Sequence, residues 1–335
     1  MSLPICLMID DPAPLINVYW WHVAARQKSD APVESTGEPV LRDVPLDFMR
    51  EFADVVAACK FRGKFTVLPF PAGLGRITDG WPGCDRRELA EWIAIAREKL
   101  MGPMDITPEI LTHAAALDLE TGALLSENER DWSTHQTAAT LTPYIAHALQ
   151  ILKDVGLEAT GITSPWNFGQ AVEDEYQRAI RAAMRQVSGR GQSWYFLHMD
   201  TRETGFLSRV VWREKDDWLV SVVAQCDDYL WKTMQTADSS DEYVRTLASE
   251  YLTENGRGGR LAELFHAETP MVLVTHWQSL FSNGRRTGLR ALAEVGRRVC
   301  AAWGPAAQWM TCSDLAAHVA AGDLPPFNHE RQHPP

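Results

Sequence analysis

The chain is short of basic residues: 32 Lys and Arg stand against 44 Asp and Glu, a formal net charge of -12 over 335 residues. A phosphate backbone is bound through clustered cations, so a nucleic-acid partner is not expected. The six cysteines, Cys6, Cys59, Cys84, Cys226, Cys300 and Cys312, are scattered with no CxxC pair. That argues against a zinc knuckle and reads as reduced thiols rather than a disulfide framework. No apolar run approaches the ~20 residues of a membrane span. The apolar segment near the start is too short and too acidic for a secretory signal, so the expectation is a cytoplasmic protein that contacts no membrane. Glycine fingerprints are also missing. Gly73-Leu74-Gly75 and Gly189-Arg190-Gly191 lack the spacing of a dinucleotide or P-loop motif and read as turns. No GxSxG elbow accompanies Ser279 and Ser282, so serine-hydrolase chemistry has no support. No repeat or low-complexity linker divides the chain.

What is present suits a large enzyme. A 45% hydrophobic and 23% charged composition is that of a globular protein long enough to bury a substantial core. Thirteen tryptophans serve either as core packing or as stacking surfaces at a binding mouth. Apolar β-like runs occur at 5–9, 64–70, 160–164, 193–198, 218–224, 271–275 and 308–311, with helix-like segments at 46–58, 86–100, 141–155, 171–186, 240–254 and 289–302. Leu89, Trp92, Ile93 and Ala96, for example, repeat at helical spacing. Strand and helix in turn imply a parallel sheet with helical crossovers. The expected fold is α/β, a distorted (β/α) barrel in one domain over 1–324, with a loose proline-rich tail at 325–335.

Polar residues gather where such strands end. Asp10-Asp11-Pro12 closes the run Ile5 to Ile9; His113 follows Pro108-Glu109-Ile110-Leu111-Thr112 and reads as lying at a helix start. Pro165-Trp166-Asn167, Asp227-Asp228 and His276-Trp277 follow three further strands. Carboxyl ends of barrel strands converge on one face, where active sites lie. Two carboxylates at a buried strand tip are costly unless something there uses them. Taken singly, the Asp pair also fits a helix cap, and each histidine or tryptophan a satisfied core or surface position.

In order along the chain these residues resemble the polysaccharide deacetylase (NodB-homology) family. Leu7-Met8-Ile9-Asp10-Asp11 is similar to its first motif, which implies Asp10 as general base and Asp11 as metal ligand. Glu109 to His113, and then Thr134-His135, resemble its second motif and imply metal-binding histidines at His113 and His135. Ser164-Pro165-Trp166-Asn167 resembles the third, a wall of the substrate groove, and Val274-Thr275-His276 the last, with His276 as general acid. Asp227-Asp228 would orient His276 or bind substrate, and Trp277 is a further substrate-side candidate. Gln308 to Leu315 resembles the closing strand and helix start.

Two features depart from the family pattern. The histidines lie four residues apart in the family but are separated here by an insertion containing Asp118, so Glu109 or Asp118 are alternatives to His135 as third ligand. Thr163 and Ser164 also stand where an arginine normally orients the base. A carboxylate with two imidazoles suits a divalent ion, zinc first on ligand type, and leaves room for water and a substrate oxygen. The resemblance implies a metal-dependent deacetylase-like hydrolase of amide or ester bonds in a carbohydrate or small amidic substrate. Two other readings stand beside it: a catalytically silent barrel that binds a sugar or a protein through a Trp-rich mouth, and a glycosidase using two carboxylates from Asp10, Asp11, Asp227 and Asp228.

Overall fold

In a computed structural model, the structure describes residues 2–199 and 207–323; the expected tail at 325–335 lies outside them. The strands are β1 (Leu3–Asp10), β2 (Gly63–Val67), β3 (Met104–Pro108), β4 (Ala115–Leu117), β5 (Leu124–Asn128), β6 (Gly161–Thr163), β7 (Gln192–Met199), β8 (Arg209–Glu214), β9 (Asp217–Ala224), β10 (Met271–His276) and β11 (Ala307–Trp309). The helices are α1 (Val18–Gln27), α2 (Leu46–Cys59), α3 (Arg86–Ile95), α4 (Glu129–Ser133), α5 (Ala138–Asp154), α6 (Glu173–Ser188), α7 (Asp241–Tyr251), α8 (Arg260–His266), α9 (Trp277–Phe281), α10 (Thr287–Trp303) and α11 (Cys312–Ala321). None is long and apolar enough to cross a membrane. All six cysteines are free thiols.

One parallel sheet runs β10-β1-β2-β3, with β11 also on β1; a second runs β6-β7-β9-β8, parallel except for β8. Single parallel bridges join them at both edges, Ile106 to Ala159 and Glu109 to Thr163 on one side, Cys226 to Leu273 on the other. Strand β1 is apolar and buried along nearly its whole length, as expected of a parallel strand covered on both faces. Its alternate side chains divide between two cores. Cys6 and Met8 meet Trp194 and Phe196 of β7, Val220 and Val222 of β9 and Val272 and Val274 of β10, closed off by Leu315 and Ala316 of α11. Ile5, Leu7 and Ile9 face the helical layer instead. There α2 presents Phe48, Met49, Phe52 and Val56 at helical spacing, and Phe52 stacks on Phe65.

The approach of β2 to β1 depends on Gly63. A Cβ there would lie 1.8 Å from the Leu7 carbonyl oxygen, so only glycine permits the register Met8 to Lys64. That register turns Lys64 into the space between the two sheets.

Strand β3 is the principal element that the sequence pattern hides. Its five residues hold only Met104 and Ile106 as large apolar groups, and Pro108 ends it. In consequence Glu109 to His113 is a loop leaving a strand end, correcting the expected helix start.

Candidate functional site

Asp10 ends β1 in register with His276 at the end of β10. In continued extended backbone, Asp10 and Asp11 would point to opposite faces. Asp11 instead adopts a left-handed conformation, φ 66°, and both carboxylates line one cavity of about 740 Å3. Ile110, His113 and Trp166 are left-handed too. Such conformations cost of order 1–3 kcal/mol each and persist where the surroundings over-determine them.

The surroundings here are hydrogen bonds. The Asp11 N–H donates to Glu109 Oε2 at 2.7 Å. Glu129 has no exposed surface; it accepts the N–H groups of Thr112 at 2.9 Å and His113 at 2.7 Å, and the Tyr144 hydroxyl at 2.7 Å. On the other side of the same residue, His22 Nε2 lies 2.7 Å from the His113 carbonyl oxygen and donates to it. The peptide groups of His113 are thus clamped at both ends.

Within this frame Asp11 Oδ1 lies 2.8 Å and Glu109 Oε1 3.6 Å from His113 Nε2. Asp11, Glu109 and His113 form a buried cluster whose ligand atoms all lie within 4.8 Å of one another. Burial and the adjacent Asp11 charge push the Glu109 carboxyl well above its usual range. Burial opposes a charge on His113, but Asp11, then Glu109 and Glu129, outweigh it and raise the imidazole to about 9. Asp11 is buried as well, yet the His113 charge and hydrogen bond hold it well below the carboxylate range. Near neutral pH the cluster therefore favours protons on His113 and Glu109 beside an ionised Asp11. The donor set, two carboxylates and an imidazole, is one that a divalent cation takes in its place.

Asp10 has a different partner. Lys64, with no exposed side-chain surface, donates to its carboxylate. It also donates to Thr163 Oγ1 at 2.9 Å, and its ammonium lies over Phe196, 4.8 Å from the ring centre. A cation therefore reaches Asp10 from β2, although no arginine precedes Pro165.

Asp228 organises His276. Its Oδ2 accepts from His276 Nδ1 at 2.8 Å, from the His276 N–H at 3.1 Å and from Ser279 Oγ at 2.5 Å; its Oδ1 accepts from Thr275 Oγ1 at 2.9 Å. Burial disfavours the imidazolium, but the Asp228 hydrogen bond and the charges of Asp11, Asp228 and Asp10 prevail and raise His276 to about 10. Its ring stays 31% exposed to the cavity side. His22 moves the opposite way, to about 4, through burial and the His113 charge.

Of the expected residues, Asp10, Asp11, His113, Trp166, Asn167 and His276 line the cavity together. Asp228 stands behind His276. Pro165 is buried beneath and its carbonyl accepts the Phe168 N–H. Two placements correct the expectation. The insertion after His113 folds as the antiparallel pair β4 and β5 followed by α4. It buries Glu129 under the loop and carries His135 outward, 56% exposed and 3.8 Å from Glu127. Glu109, not His135, completes the cluster. Asp118 caps a turn, accepting the N–H groups of Glu120 and Thr121. Trp277 is 1% exposed and packs on Phe48, Phe52 and Phe65. As the first residue of α9 it turns into the helical core, away from the cavity.

Three contributors escaped the sequence reading. Lys64 left one signal, a lone charge opening an otherwise apolar run. Glu129 and His22 left none, since each acts on a loop distant in sequence.

No family model matches the chain, and no curated protein matches it significantly. Among solved structures it resembles a candidate polysaccharide deacetylase from Mycobacterium smegmatis at 15% identity and TM-score 0.50, covering 100% of this chain and 96% of the other. It also resembles a candidate glycoside hydrolase/deacetylase from Parabacteroides distasonis at 10% identity and TM-score 0.50, covering 94% and 70%. At these identities the likeness is one of fold: an α/β architecture with a central parallel sheet.

Proposed function

We propose that the protein is a metal-dependent hydrolase of amide or ester bonds, a divergent relative of the polysaccharide deacetylases on a distorted (β/α) barrel. The observation that carries this reading is the buried Asp11, Glu109 and His113 cluster, set between a carboxylate and an imidazole that line the same cavity. These three residues would hold the cation, zinc by ligand type. When bound it supplies Lewis acidity toward an acyl oxygen and acidifies water.

The chain's own groups account for the proton transfers. Asp10, held by Lys64, takes the proton of the attacking water. His276, kept as an imidazolium by Asp228, gives a proton to the departing amine or alkoxide. Trp166, 46% exposed, and Trp231 and Tyr19 supply the flat apolar walls that suit sugar faces, so a carbohydrate-like or small amidic substrate fits. A two-carboxylate glycosidase is less well supported, because Asp11 is engaged by His113 and Asp228 by His276, Thr275 and Ser279.

Metal analysis of the purified protein, with hydrolysis of acetyl esters and N-acetylated sugars before and after chelation, tests the reading. A stoichiometric divalent ion and activity lost to chelator and restored by metal are expected. A protein that binds no ion under any loading condition returns the silent-barrel alternative.

A further inference from the structure

A chain of net charge -12 gathers five cations, Arg178, Arg181, Arg185, Arg190 and Lys215, around one concavity of about 530 Å3, against two acids, Glu214 and Asp217. Helical spacing accounts for three of them: Arg178, Arg181 and Arg185 follow at three and four residues and share a face of α6. Arg190 comes just after Gly189, which ends that helix. Lys215 projects from the tight turn between β8 and β9, at φ 54°.

Two of these charges are neutralised within the protein, Arg178 by Glu175 and Arg185 by Asp217. Arg190 and Lys215 make no hydrogen bond or ion pair among the described residues. Arg181 lies on Trp212, its guanidinium carbon 4.0 Å from the ring centre, and its Nε is buried without a hydrogen-bond partner. Like charges crowded together repel unless an anion lies between them. An oxyanion in the concavity relieves that repulsion. Guanidinium groups meet phosphate oxygens in paired, charge-assisted hydrogen bonds. The unneutralised cations come from two neighbouring elements, the end of α6 and the β8–β9 turn, which the parallel pairing of Gln192 with Trp218 holds side by side.

We propose that this concavity binds a small phosphorylated molecule, through Arg181, Arg190 and Lys215. It lies at the amino ends of β7 and β9, whereas the Asp11 cluster lies beyond the carboxyl ends of the strands. The eight residues of β7 separate the two faces by roughly 26 Å. The site is distinct from the catalytic cavity and does not rest on the hydrolase reading.

Calorimetric titration of the chelator-treated full chain with pyrophosphate tests the proposal, alongside Arg190→Ala/Lys215→Ala, Arg181→Met and Asp11→Asn variants whose folding is checked by circular dichroism. Saturable one-to-one binding is expected, weakened about tenfold or more in the double variant and in Arg181→Met, and unchanged in Asp11→Asn. Absence of saturable binding to the wild type overturns the proposal. So does equal binding of citrate, undiminished binding by the double variant, or loss in Asp11→Asn, which would put the anion in the catalytic cavity.

Discussion

Lys64 and Asp10 form an ion pair in which the lysine has no exposed surface and the aspartate side chain only 8%. The pair crosses from β2 to the tip of β1, and Thr163 receives the same ammonium from the β6 side. Three strands are tied together at the proposed catalytic base.

Removing the lysine strands a buried carboxylate. Lys64→Met is expected to destabilise the fold by about 3–5 kcal/mol, read from urea unfolding. The double variant Asp10→Asn/Lys64→Met should lose less than the sum of the singles, because the uncompensated charge is gone. Additive losses would mean that the pair does not interact.

Metal uptake should release protons. Glu109 stands well above its ordinary range and His113 at about 9, so near pH 7 the metal-free cluster holds protons that a cation must displace. Affinity therefore rises with pH, and calorimetry in buffers of different ionisation enthalpy reads the protons released. Glu129→Gln, which loosens the His113 loop, should weaken metal binding about 10–100-fold. His135→Ala should leave it unchanged; a loss there would restore His135 to the ligand set.

In the proposed mechanism the alkaline limb of the rate should belong to His276. An acid raised to about 10 stays protonated and active across neutral pH and loses activity as pH rises through that value. Asp228→Asn removes the leading stabiliser of the imidazolium, so the limb should move to lower pH in a kcat profile. His276→Gln should cost about 10²–10⁴-fold in kcat. A profile whose limb stays in place in Asp228→Asn would remove Asp228 from this role.

Acid stability should depend on Glu173. Burial alone would raise this carboxyl, but hydrogen bonds from His198 at 3.0 Å and Tyr195 at 2.5 Å, with the His198 charge, hold it at about 2 against 4.5. The folded form is the more acidic, so the stabilisation is complete above the unfolded value. It is lost as pH falls from about 4.5 toward 2, worth roughly 3 kcal/mol in all at its 22% side-chain exposure. Glu173→Gln should flatten that part of the stability curve. An unchanged slope in pH-dependent denaturation would rule the group out.

Much of the frame was legible in the chain. Strands β1, β7, β9 and β10 are largely apolar over six to eight residues, and a buried parallel sheet requires such runs, so Asp10, Asp11 and His276 could be set at strand ends before any fold was known. Strand β3 was not legible, because two apolar residues among five do not make a pattern. Missing it turned the Glu109 to His113 loop into a helix start.

Local pattern determined which carboxylates and imidazoles sit at strand tips, since burial along a strand is written in its own residues. Only the tertiary structure decided their partners. Whether Glu109 or His135 meets Asp11, which cation reaches Asp10, and whether Trp277 faces sugar or core depend on register, on left-handed turns at Asp11 and His113, and on the path of the inserted hairpin. Those are set by contacts between residues tens to hundreds of positions apart, which no local spacing records.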